Sequence, residues 1–456
     1  MADSDVNDLM TRALAHHQAG RLGQAEDAYR EILHIQPNHA EALHMLGVIA
    51  YQVKKADVGV AFIQKSLRCN PTNPVAFKNL AVALKAAGRF EDAADIARRA
   101  IEMNPADPDP WGTLGNALSD LNRLNEALLA YQKAVELAPG VAKGWSNIAG
   151  CLGDLGQIDR AIAAHRRAVE LEPELAPAHW NLALALLAAG DFSGWEEYEW
   201  RWKFNGFTSV RRNFAQPLWD GQPLDGRRLL LHAEQGHGDT IQFVRYLPRI
   251  AERTGSGKMI LECQPRLLPL LKQLHGVDEF IDAGTPLPEF DIQCPLLSLP
   301  WVLGETLESI PRQIPYLYPD DELVKQWGER IGHDPGKVRI GIAWAGSRSN
   351  FKDHHRSIRL AELAQLFEIE GASFFSLQID GRDEVAAERF GSLIDLTVDQ
   401  TDFAQTAACI AQLDMVISVD TALAHLAGAM GKPTFLLLSY SSDWRWLHAR
   451  EDSPWY

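Results

Sequence analysis

The chain has 456 residues, 46% of them hydrophobic and 23% charged, with a formal net charge of −16. That length exceeds one ordinary core and fits two or three globular domains, and the acidic balance argues against a general nucleic-acid binder, though not against a local basic pocket for one nucleotide. The five cysteines are scattered without a C-x-x-C pair, the N-terminus MADSDVNDLM is acidic and polar, and no apolar run approaches the ~20 residues of a membrane span, so a reduced, cytoplasmic protein without a membrane span is expected.

The first half is periodic. Pro37, Pro71, Pro105, Pro139 and Pro173 are spaced by 34 residues each time. Turn positions fall midway between them, at Gly20, Lys54, Gly88, Asn122, Gly156 and Gly190, and small residues recur in register at Ala25, Ala93, Ala127 and Ala161. Small residues let two antiparallel helices approach closely, and proline ends the second helix because it lacks an N–H. Each such unit leaves an apolar face open, so neighbours must stack. The pattern resembles the tetratricopeptide repeat, a helix-turn-helix unit, with about five full repeats and a degenerate sixth over residues 6–205. The sixth crowds Trp195, Tyr198, Trp200 and Trp202 into one segment. These rings suit a cap that joins the array to the next domain better than a ligand site. A solenoid of this kind implies a protein or peptide partner in its inner groove.

After the linker RNFAQPLWDGQPLDG the period changes. RRLLLHA and KMILECQ read as strands, DTIQFVRYLPRIAERTG and PRLLPLLKQLHG as helices, and VDEFIDAG and FDIQCPLLSLP as further strands. A second series begins near Lys337, with strands KVRIGIAWAGS, ASFFSLQ, DMVISVD and KPTFLLLS alternating with helices IRLAELAQLFEI, DFAQTAACIAQL and TALAHLAGAMG. Alternation of this kind predicts parallel, doubly wound sheets. Two Rossmann-like lobes are expected, over residues 213–318 and 336–456, joined by IPYLYPDDELVKQWGERIGHDPG. Ligands of such sheets bind beyond the carboxyl ends of the strands, which places any site between the two lobes.

Two strand-to-helix junctions carry chemistry. In DTALAH, Asp420 and Thr421 stand at the start of a helix, with His425 one turn on and on the same side as Thr421. A helix N-terminus suits a phosphate, so Thr421 and the following amides could hold a diphosphate and His425 could donate to it. The plainer alternatives are an N-cap at Asp420 and a satisfied buried histidine. In WAGSRSNFKDHHRSI, the cations Arg348, Lys352 and Arg356 form a local basic cluster in an acidic chain, which two phosphates would need, or which is a solvated loop. The adjacent His354 and His355 lack a third ligand, and no D-x-D stands at a strand end, so no metal and no cofactor are expected. Gln378 ends a strand and could touch a base or ribose. CPLLSLP is a loop of the site or plain core, and Trp444 and Trp446 line the cleft or simply pack.

SVDTALAHLAGAMGKP resembles the donor-site motif of bacterial heptosyltransferases, and GHGDTIQFVRYLP resembles their N-terminal loop. The resemblance implies a GT-B glycosyltransferase behind the repeats, acting without metal and inverting, on a nucleotide-diphosphate sugar. It implies that Asp239 is the catalytic base, although an N-cap before Thr240 is the alternative. Gly236, His237 and Gly238 would form the acceptor-side loop, with the glycines giving a tight turn and room for the acceptor. Asp420, Thr421, Ala422, His425, Arg356 and Lys352 would lie on the donor side, with Ala422 standing where the family has Gly. The acceptor would be a protein recruited by the repeats. A lipopolysaccharide-type heptosyltransferase and an inactive repeat scaffold are the rivals. Relatives of this kind continue beyond the position of Tyr456, so further chain is expected there.

Overall fold

The computed structural model describes residues 2–332, 336–346, 353–379, 393–440 and 442–456. The chain divides into two compact units, Met1–Leu182 and Ala183–Tyr456.

The first unit is a stack of helix pairs. Ala2–Gln18 pairs with Leu22–Ile35, Ala40–Gln52 with Ala56–Cys69, Pro74–Ala86 with Phe90–Met103, Pro108–Asp120 with Leu124–Leu137, and Ala142–Asp154 with Ile158–Leu171. The turn positions read from the sequence all take left-handed backbone, with φ of 71° at Gly20, 61° at Lys54, 73° at Gly88, 58° at Asn122 and 71° at Gly156. That conformation reverses the chain after the first helix of each pair. The second helix of each pair stops two residues before the periodic proline, because the residue ahead of a proline is pushed out of helical backbone. Asn73 and Asp107 then cap the next helix with their side chains, and Pro74 and Pro108 occupy its first turn. Close approach is paid for by absent side chains: a Cβ on Gly47 would meet Ile63 at 2.4 Å and the Gly59 carbonyl at 2.9 Å, and one on Gly115 would meet the Tyr131 ring at 2.5 Å.

The second unit begins with the segment that ends the sequence repeats and then forms two parallel sheets. The first sheet contains β1 (Arg228–His232), β2 (Lys258–Cys263), β3 (Glu279–Asp282) and β4 (Ile292–Pro295), in the order β3-β2-β1-β4. The second contains β5 (Val338–Ala343), β6 (Ala372–Ser376), β7 (Leu393–Asp395), β8 (Met415–Val419) and β9 (Thr434–Leu437), in the order β7-β6-β5-β8-β9. All pairings are parallel. In each sheet the strand order reverses beside the first strand, between β1 and β4 and between β5 and β8. Those reversals open the crevices where such sheets take ligands.

Several elements differ from the sequence expectation. The helix read over DTIQFVRYLPRIAERTG is broken into His237–Phe243, a 3-10 turn at Val244–Tyr246 and Leu247–Thr254, because Pro248 cannot continue a helix begun upstream. The second helix of that lobe shrinks to Leu268–Leu271, with Pro269 in its first turn. FDIQCPLLSLP gives only the four residues of β4, and its apolar remainder turns helical. The segment read as a link between lobes holds a helix, Asp321–Ile331, capped by the Asp320 side chain on the Glu322 and Leu323 amides. The three-residue β7 has no counterpart in the sequence reading.

Candidate active site

The segment Gly194–Lys203 packs into the α/β unit. Trp195 and Tyr198 are fully buried, and Trp195 stands edge-on to Trp444 at 5.1 Å and to Phe243 at 5.8 Å. Arg201 is buried too, bonded to Glu234 at 3.0 and 3.1 Å, to Glu199 at 2.6 Å and to Ser298 at 2.8 Å. Glu234 sits two residues beyond β1. Burial pushes its carboxyl up to about 7, against the pull of Arg201. This network fixes the loop that leads to Gly236, and it was not visible in the sequence.

The helix His237–Phe243 starts after that loop. Gly236 is its cap residue, with ordinary extended backbone (φ −69°, ψ 168°), so the turn itself does not call for glycine. Gly238 is required for a different reason. A Cβ there would meet His425 Cδ2 at 2.8 Å and the Ala422 Cα at 3.5 Å. The absence of that atom lets this helix pack directly against Ala422–Ala429, the helix that follows β8. The His237 ring lies 5.0 Å from Phe403, a second contact between the lobes.

Asp239 occupies the first turn of its helix, and one carboxylate oxygen accepts the Gly236 N–H at 2.9 Å. Its other oxygen accepts from Arg445. Arg445 also bonds Asp443 at 2.7 Å and Gln242 at 3.0 Å, lies over the Trp444 ring at 4.3 Å, and is nearly buried. A guanidinium fork that matches two carboxylates at once is fixed in orientation. The sequence reading singled out the tryptophans on either side of Arg445 and missed the arginine. The only local sign was its flanking by two apolar rings and an aspartate.

On the other lobe, Thr421 caps the helix Ala422–Ala429, its hydroxyl accepting from the Leu423 amide at 3.3 Å and lying 3.0 Å from Ser418. The cap is therefore Thr421, and the plain-cap alternative for Asp420 does not hold. Asp420 is turned toward His425, with Oδ1 4.0 Å from Nε2. Burial and the nearby Asp443 push its carboxyl up to about 6, against the pull of Arg445 and Arg356. His425 Nδ1 is 2.7 Å from the Tyr456 hydroxyl, and its ring stacks on Trp446 at 5.1 Å. Burial, and then Arg445 and Arg245, hold the imidazole well below its ordinary pKa, so it is neutral.

Arg356 pairs with Asp353 at 3.1 Å, and Asp353 also accepts from the Ser357 hydroxyl at 2.8 Å. The Ser357 hydroxyl in turn accepts from the Gly346 amide at 3.0 Å, beyond the end of β5. Gln378 is not free for a ligand through its carbonyl oxygen. That atom accepts the Trp344 and Ala345 amides at 3.2 and 2.9 Å and fixes the exit of β5. Arg348 and Lys352 lie outside the described residues, as do the side chains of His354 and His355. Among the described residues no group of three His, Cys, Asp or Glu could hold a metal ion, and no helix is long and apolar enough to cross a membrane.

Residues 10–74 and 78–142 match the tetratricopeptide repeat, residues 153–190 match a TPR repeat, and residues 359–451 match glycosyltransferase family 9 (heptosyltransferase). The last match takes in Asp420, Thr421, His425 and Arg445 and leaves out Asp239 and Arg356. The chain is 32% identical to Protein FlbA of Caulobacter vibrioides (strain ATCC 19089 / CIP 103742 / CB 15), over 60% of this chain and 50% of that protein. It thus spans about half the length of that curated relative. Solved structures similar to it include MamA, at 24% identity and a TM-score of 0.33 over 36% of this chain and 96% of that one. Another is a thermophilic TPR protein of Thermus thermophilus, at 20% and 0.35 over 40% and 99%. A third is pilF of Pseudomonas aeruginosa, at 17% and 0.39 over 44% and 91%.

Proposed function

We propose that this chain, which carries tetratricopeptide repeats and a glycosyltransferase family 9 (heptosyltransferase) domain, transfers a sugar from a nucleotide-diphosphate donor to an acceptor, a protein that the repeats recruit. The observation that carries the reading is the meeting of two strand-end helices at Gly238 and His425, with Asp239 on one and Thr421, Asp420 and His425 on the other.

The donor diphosphate lies at the start of Ala422–Ala429, where the partial positive charge of the helix favours an anion. Thr421, neutral His425 and Arg356 complete its contacts. Asp420 suits a hydroxyl of the ribose or the donor sugar better than a phosphate, because two like charges repel. Asp239 takes the proton of the acceptor hydroxyl as that oxygen attacks the anomeric carbon, and the nucleotide diphosphate leaves from the opposite face. That sequence inverts the anomeric centre. The acceptor is drawn from the repeat unit, whose helices line an open groove of about 330 Å³ with Lys78, Asn79, Asp109, Asn116, Lys143 and Asn147. Amides and charges of both signs suit an extended peptide.

A second reading has its own observation. Both Asp239 oxygens are engaged, one by Gly236 and one by Arg445, which fits a scaffold that no longer turns over. Calorimetry of UDP-, GDP- and ADP-sugars without added metal, with hydrolysis followed in the same samples, separates the two. The transferase reading expects one donor to bind, its binding to be lost in Asp420→Ala, and Asp239→Asn to bind it yet turn over roughly a hundredfold to ten-thousandfold more slowly. Binding without hydrolysis or transfer in the unaltered protein favours the scaffold, and no binding removes both the donor site and the transferase reading.

A further inference from the structure

We propose that Tyr456 is a positioning residue, its hydroxyl donating to His425 Nδ1 so that the neutral imidazole presents Nε2–H to the donor's diphosphate. The second half of this statement rests on the transferase reading above; the first half does not.

The ring of His425 is held on every side. Nδ1 meets the Tyr456 hydroxyl at 2.7 Å, one face stacks on Trp446, and the Cδ2 edge faces the bare Gly238. The Nε2 corner faces Asp420 at 4.0 Å. A neutral imidazole carries one ring proton, so one nitrogen donates and the other accepts. Two arrangements satisfy the Tyr456 contact. In the first, Tyr456 donates to Nδ1 and Nε2 is protonated. In the second, Nδ1–H donates to Tyr456, and Tyr456 turns its own O–H toward the neighbouring Tyr316 oxygen. Tyr316 can only accept in that case, because its hydroxyl donates to the Ile241 carbonyl at 3.0 Å.

The Nε2 corner decides between them. In the second arrangement a bare Nε2 lone pair faces the Asp420 carboxylate, which is ionised at pH 8, and two negative poles repel. In the first, Nε2–H faces that carboxylate favourably. The charged groups around the ring are Asp420, Arg445 and Arg245. Burial first, and then the two guanidiniums, keep the ring from taking a second proton, so it stays a neutral donor across ordinary pH. A donor of that kind serves a phosphate oxygen without needing a proton from solvent. The sequence reading gave His425 the donor's part and missed the residue that meets its Nδ1.

The test is imidazole nitrogen NMR at pH 8 on the full chain with isotope-labelled histidine, His425 being assigned by the signal lost in His425→Gln. The expected result is a protonated Nε2 and a bare Nδ1 in the unaltered protein, a displaced Nδ1 signal in Tyr456→Phe, which keeps the ring packing but takes the donor from that lone pair, and a mixture of tautomers in Tyr456→Phe combined with Asp420→Asn. Addition of UDP, GDP or ADP should shift the Nε2–H signal of the unaltered protein, and Tyr456→Phe should weaken binding of the same nucleotide by roughly threefold to tenfold. A protonated Nδ1 in the unaltered protein, or an Nδ1 signal unmoved in Tyr456→Phe, overturns the assignment to Tyr456. A nucleotide that binds by calorimetry and leaves Nε2–H unmoved overturns the diphosphate contact. If none of the three nucleotides binds, the transferase reading fails, and the tautomer result still judges Tyr456 by itself.

Discussion

The repeat unit and the α/β unit are stabilised on opposite plans. In the repeats the same contact recurs every 34 residues, small residue against helix, and each pair touches only its neighbours. In the α/β unit the decisive contacts occur once and span great lengths of chain: Arg445 reaches Asp239 across 206 positions and Gln242 across 203. The first plan spreads stability over many interchangeable contacts. The second concentrates it, and the concentration lies at the proposed site.

The largest effect should therefore follow from Arg445. Arg445→Met leaves the largely buried Asp239 without its counter-charge, and Asp443, which shares the same guanidinium, loses its partner too. Breaking a buried pair in this way costs about 3–5 kcal/mol. Hydrogen exchange followed by mass spectrometry should show lost protection in His237–Phe243 and around residues 443–447, with the repeats unaffected. Arg445→Lys keeps the charge but loses the fork, and should lose less. Equal protection in Arg445→Met and the unaltered protein would break the comparison outright.

The matching experiment in the repeats is Gly47→Val. The added atoms collide with Ile63 and with the backbone of Gly59, so the two helices of that pair must part. Overpacking of this kind costs about 1–3 kcal/mol. Because neighbours couple only to neighbours, protection should fall in Ala40–Gln52 and Ala56–Cys69 and recover further along the array. A loss spread evenly to Ile158–Leu171 would mean that the array is more cooperative than its contacts suggest.

The same contrast explains what the sequence disclosed. A period of 34 shows one pattern five times over, so the helix pairs, their turns and their small-residue contacts were legible. The junctions at Gly236–Asp239 and Asp420–His425 were legible as well, since a strand running into a helix start is a local pattern. Arg445, Arg201 and Tyr456 were not, because no local feature tells a residue which partner lies 31, 33 or 206 positions away. Asp321–Ile331 was hidden by its charge: most of its side chains face water, and only Trp327 is buried. A strand as short as Leu393–Asp395 carries too few residues for a period of two to register. Gly238 was marked for its flexibility, whereas its use is to let two helices touch.

The smallest effect sharpens the contrast most, because its sign is opposite. Asp420 has its carboxyl raised to about 6 by burial and by Asp443. A carboxyl raised in the folded state binds protons more tightly there than in the unfolded chain. Its ionisation therefore costs stability as pH rises from its unfolded value toward 6, and the cost is constant above that. Asp420→Asn removes the cost. Near pH 3, below the carboxyl's unfolded value, the variant and the unaltered protein should unfold at the same urea concentration, and at pH 8 the variant should be more stable by about 1–3 kcal/mol. The same variant should lose donor binding. Stability gained where binding is lost is what a site strained for its chemistry gives. If Asp420→Asn is no more stable at pH 8, then Arg356 and Arg445 fully offset the carboxylate, and the site is as relaxed as the repeats.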